Sequence, residues 1–112
     1  MSTESPEQEF ETLVTILGKM KIQYDIYKET LVQQRNAIIA NKTNELTEIL
    51  TKIDGINENI NRLEARRMYN TEVLAQHANM ETKTIREIVK AFPEFNGKEL
   101  ENVAAELKKV AL

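Results

Sequence analysis

The residues that could do chemistry are few. His77 is the only histidine in the 112 residues and there is no cysteine, so the usual zinc ligand set cannot be assembled. A di-iron bundle needs Glu-x-x-His pairs, and the residue three before His77 is Leu74. No glycine-rich phosphate loop or nucleophile elbow occurs. The many glutamates fall at helical, solvent-facing positions, where charged side chains are ordinarily exposed rather than catalytic. Arg66-Arg67 and the scattered lysines are balanced by acid to a net charge of -3, which gives nucleic acid and acidic lipid nothing to hold. The chain is therefore read as no enzyme, without metal or cofactor. Its remaining chemistry is that of apolar helix faces.

The elements that carry those faces are helical. Hydrophobic residues make up 41% and charged residues 29%, with three Gly, two Pro and no Trp, and the β-branched residues do not alternate with polar ones. Residues 1–112 read as a single all-α domain with a disordered N-terminus over 1–5. The opening MSTESPEQEFET is acidic and polar, unlike a signal peptide, and no apolar run approaches the roughly 18 residues of a membrane span. A cytoplasmic protein without membrane insertion is expected. On that reading the sequon Asn41-Lys42-Thr43 is a helix junction rather than a glycosylation site.

Two long stripes of apolar residues define a helical hairpin, about 6–39 and 43–75. Ser5, Pro6 and Gln8 form a capping-box start. Phe10, Leu13, Leu17, Met20, Tyr24, Tyr27, Leu31 and Ile38 then follow at alternating spacings of three and four, Gln34 filling one step. Both tyrosines are placed in the core with their hydroxyls at its edge. The second stripe is Leu46, Ile49, Ile53, Ile56, Ile60 and Leu63, continuing through Arg67 and Asn70 to Leu74. It passes through Asp54-Gly55 without losing phase, so that pair is helical and not a turn. The register slips by one residue over Ala40 to Asn44, which places the reversal there with Asn41 or Thr43 as N-cap. One bent continuous helix, dimerising through both stripes, is the alternative. Arg67 and Asn70 are either exposed, the stripe moving to Met68, Val73 and Leu74, or a polar layer that fixes register.

Beyond Leu74 the pattern shortens into two amphipathic helices, about 82–92 and 97–111. Thr82 or Thr84 caps the first, which carries Ile85, Ile88, Val89 and Phe92 and stops before Pro93. Asn96-Gly97 breaks the chain. The second helix carries Leu100, Val103, Ala104, Leu107, Val110 and Ala111 on one face and is short enough to be marginal alone. That apolar face either packs on the open end of the hairpin or is released to take a partner in helix-in-groove fashion.

The stretch LVQQRNAIIANKTNELTEILTKIDGINENINRLEARR resembles the FlgN family of flagellar type III export chaperones. The shared positions are Gln34, Arg35, Ala37, Ile38 and Ile39, then Leu46, Ile49, Leu63, Glu64 and Arg67. A weaker similarity runs on through TIREIVKAFPEFNGKELENVAAELKKV. The resemblance implies a helical hairpin with shorter C-terminal helices. It also implies a cytoplasmic role in holding hook–filament junction (hook-associated) proteins and delivering them to the export apparatus. Carried over, it nominates Leu100, Val103, Leu107 and Val110 as the client-binding face, with Ile85, Ile88, Val89 and Phe92 beside it. Two family features do not carry over: Leu74 is followed by Ala75 rather than Gly, and no tyrosine lies beyond Tyr69 to offer the export gate an aromatic contact. The alternative function is a structural coiled-coil subunit or adaptor that assembles through its heptad seams, with itself as a homo-oligomer or with another long helix.

Overall fold

In a computed structural model, describing residues 5–79, 81 and 84–111, the chain folds as α1 (Pro6–Ile39), α2 (Thr43–His77), α3 (Ile85–Ala91) and α4 (Gly97–Ala111). Residues 1–4 of the expected disordered tail lie outside the described residues, as does Thr82. The helix α1 starts as its sequence dictates. The Gln8 N–H donates to Ser5 Oγ at 3.2 Å and the Ser5 N–H donates back to Gln8 Oε1 at 3.0 Å. Each long helix spans about 50 Å at 1.5 Å per residue, which accounts for the 55 Å long axis of the molecule.

The reversal, over residues 40–42, falls within the expected Ala40 to Asn44 stretch, but its caps are not the expected ones. Asn41 sits at φ 55, left-handed, and closes α1 instead of opening α2. Its N–H donates to Ile38 O at 3.1 Å and the Lys42 N–H donates to Ala37 O at 2.9 Å, the paired bonds of a Schellman motif. Asparagine is one of the few residues with a side chain that visits this geometry readily, so the turn forms without glycine. Lys42 is the N-cap of α2, with no side-chain cap bond, and Thr43 is already helical. Gly55 lies inside α2 on the exposed side, as the unbroken phase requires. The two arms pack on each other within one chain, which excludes the continuous helix.

The apolar line of α1 divides between two partners. Asn59 Nδ2 donates to Gln23 Oε1 at 3.4 Å and Asn70 Nδ2 donates to Glu9 O at 3.0 Å, so positions 9 and 23 face α2. Heptad steps from them reach Ile16, Thr30 and Ala37, all buried. The expected line, Phe10, Leu17 and Tyr24, instead faces the C-terminal helices at its lower end. Leu31 and Ile38 continue that second line and are exposed, not seam residues as expected. Near the turn the seam is built from small residues, and Thr30 satisfies its hydroxyl by donating to Ile26 O at 2.7 Å. The α2 stripe is as expected: Ile56, Ile60 and Leu74 are buried and Leu46, Ile49, Ile53 and Leu63 half-buried.

Asn70 resolves as the polar layer. It is 2% exposed and Glu9 4%, and Asn70 Nδ2 also donates to Glu9 Oε2 at 2.6 Å. Glu9 thus departs from the expectation that the glutamates face solvent. Its burial depends on a partner 61 residues away that no local pattern announces. Arg67, half-buried, pairs within its own helix, its Nε donating to both carboxylate oxygens of Glu64 at 3.1 Å. Those hydrogen bonds hold the Glu64 carboxyl below its ordinary pKa and raise that of Arg67.

Candidate functional site

The C-terminal third is placed by a series of local stops and starts. Asn79, left-handed at φ 55, closes α2 with its N–H donating to Gln76 O at 3.1 Å. Thr84 then caps α3, its Oγ1 accepting the Glu87 N–H at 3.2 Å and donating to Glu87 Oε1 at 2.8 Å. The helix α3 begins at Ile85, later than the expected residue 82, because its first turn waits for this cap. It ends at Phe92, whose φ -124 and ψ 66 are non-helical, as a residue before proline should be. Asn96 accepts the Glu99 N–H at 3.2 Å and starts α4. Gly97 owes its place to a close approach: a Cβ there would stand 2.6 Å from Val89 Cγ1.

These elements turn the nominated residues inward. Leu100 and Ile88 are fully buried and Phe92 is buried, in one cluster with Phe10, Leu13, Ile16, Leu17, Met20 and Leu74. Ile85, Val89, Val103 and Leu107 pack partly buried against that cluster, with Ala104 among them. Val110 is half-buried towards the end of α4. Phe95 joins the group without having been foreseen. Its ring stacks on Phe92 at 5.3 Å and meets the edge of Phe10 at 5.3 Å. It sits in the Pro-Glu-Phe-Asn connection, where helical periodicity offers no signal, and only the Phe-x-x-Phe spacing hinted at it.

Among the described residues the backbone of α4 comes close to α1 and α3 and not to α2, which it meets only through the shared apolar cluster around Leu74. Charge follows the same geometry. The Lys21 ammonium donates to Asp25 at 2.8 Å, which raises its pKa, and Glu106 of α4 adds a smaller attraction. His77 is exposed, and among the described residues no group of His, Cys, Asp or Glu could hold a metal ion. No helix there is long and apolar enough to cross a membrane. A partner can reach Leu100 or Ile88 only after α4 or α3 has moved.

The family model described as FlgN protein matches residues 1–112, the whole chain. The chain belongs to the FlgN family. FlgN proteins are flagellar export chaperones, which gives the general kind of function and the general kind of partner, another protein. No curated protein and no solved structure matches the chain. In this FlgN-family chain the apolar face of α4 and the lower face of α1 cover each other, so both become available by a single movement.

Proposed function

We propose that this FlgN-family chain is a cytoplasmic, non-catalytic chaperone that binds hook–filament junction proteins and delivers them to the flagellar type III export apparatus. Its client-binding face is Leu100, Val103, Leu107 and Val110 of α4, joined by Ile85, Ile88, Val89 and Phe92. The observation that carries this reading is the size and docking of α4. A fifteen-residue helix anchored through Leu100 in the shared apolar cluster is short enough to depend on that contact for its order.

A client helix with the same apolar spacing exchanges one set of packed leucines and valines for another. Because only the difference between the two contacts drives the exchange, affinity stays moderate and release is easy. Reversible cover of that kind suits a protein whose clients must leave it at the export gate. The test is deletion of residues 96–112. The expected result is a hairpin still helical by circular dichroism that no longer co-purifies a hook–filament junction protein; undiminished co-purification removes α4 from the site.

A further inference from the structure

Above the end of α4, the same face of α1 continues with no described residue packed over it. Leu31, Val32, Ile38 and Ile39 are 37, 57, 59 and 73% exposed. Leu31 and Ile38 lie in heptad sequence with Phe10, Leu17 and Tyr24, the line that the C-terminal helices cover lower down. The basic residues keep the same interval, Lys21, Lys28 and Arg35 being spaced by sevens. Phe95, just before α4, meets Phe10, and eleven residues further along both segments Glu106 is felt at Lys21. The helices α1 and α4 therefore run in the same direction, and Ala111 comes level with Ile26. From there to Ile39 about 20 Å of α1 remains, at 1.5 Å per residue.

The molecule itself shows what this face accepts. On the lower half it takes an amphipathic helix with Leu100, Val103, Ala104 and Leu107 inward and an acidic side chain, Glu106, towards Lys21. We propose that Leu31, Val32, Ile38 and Ile39, with Lys28 and Arg35 along them, form a second docking surface for an acidic amphipathic helix of the client protein, lying end to end with α4. The identity of the occupant as a client rests on the chaperone function proposed above. A second copy of this chain fits worse, since pairing this face with itself brings Lys28 and Arg35 against like charges. The apolar side chains supply the attraction and the two cations select the partner.

Two measurements test the surface. In the first, an Ile38→Ser/Ile39→Ser variant and a Lys28→Glu/Arg35→Glu variant are titrated with a hook–filament junction protein. All four side chains are exposed, so helicity and melting temperature should be unchanged. Affinity should fall about tenfold or more in each, from lost apolar burial in one and reversed charge in the other. Unchanged affinity in both overturns the proposal. In the second, a synthetic helix of four turns, with leucines inward and glutamates flanking, is added while the Leu31, Val32, Ile38 and Ile39 methyl resonances are followed. Shifts confined to those methyls support the surface, and their absence counts against it. Peptide binding without junction-protein binding would sink the client assignment and leave the surface standing. A dimer dispersed by Ile38→Ser/Ile39→Ser would replace the proposal with self-association.

Discussion

Substituting alanine for glycine should act with opposite sign at two positions in this chain. At Gly97 the added methyl would lie 2.6 Å from Val89 Cγ1, where carbon atoms at rest stay about 3.5–4.0 Å apart. Valine has no flexible end to swing away, so α3 and α4 must shift relative to each other. Overpacking of this size costs about 1–3 kcal/mol, and the gain in helix propensity, up to about 1 kcal/mol, offsets part of it. A net loss of about 1–2 kcal/mol should lower the melting temperature by several degrees, given roughly 4–8 °C per kcal/mol in domains near this size. At Gly55 an added Cβ would meet nothing within 4 Å beyond its own stretch of helix backbone, and Gly55→Ala should stabilise by up to about 1 kcal/mol. Thermal melts followed by circular dichroism read both. Val89→Ala removes the obstructing methyls, so in the Gly97→Ala/Val89→Ala double variant the two effects should sum to less than their separate costs. A Gly97→Ala protein more stable than the wild type would refute the close packing of α3 on α4.

Further expectations follow from single contacts. Asn70→Ala removes two buried hydrogen bonds to Glu9 and should cost about 1–3 kcal/mol in a urea melt; no loss would mean the polar layer is not formed. Asn41→Val forces a β-branched residue into φ 55 and should cost about 1–2 kcal/mol, whereas Asn41→Gly should be tolerated. Glu64 has a folded-state pKa below its unfolded one, so its pairing with Arg67 stabilises above the unfolded value and is lost as pH falls through the folded one. The carboxylate is 41% exposed, so solvent screening limits this to a few tenths of a kcal/mol. Glu64→Gln should therefore lower stability slightly at pH 7, and the loss should shrink as the pH is brought down.

The features legible in the sequence are those decided within a few residues. The capping box at Ser5, the Thr84 cap and the stop before Pro93 are local hydrogen-bond chemistry and hold in the structure. The passage of α2 through Asp54-Gly55 was legible because phase is a property of the whole run. What the pattern hid depends on distant partners. The apolar surface of α1 is wide enough for two neighbours, and spacing alone does not say which takes Thr30 and Ala37 and which leaves Leu31 and Ile38 uncovered. Glu9 is buried where Asn70 arrives opposite it from 61 residues away. Asn41 is, with Thr43, a candidate for the start of α2 on residue type, because the residues that cap a helix start also tolerate the left-handed turn that ends one. At the candidate site the pattern marks out the apolar face of α4 and offers docking on the hairpin as one of two readings; that α1 is the arm it lies along depends on long-range packing that spacing does not encode.

The most direct test of the account is to hold α4 in place. The chain has no cysteine, so Lys21→Cys and Glu106→Cys introduce the only two thiols, on the facing sides of α1 and α4 and outside the apolar cluster. They are joined by a short, cleavable thiol-reactive linker. Binding of a hook–filament junction protein is then measured before linking, after linking and after cleavage. If clients bind by displacing α4, the linked protein should lose binding and recover it on cleavage. Equal binding in all three states would contradict the account and assign client recognition to a surface that α4 does not cover.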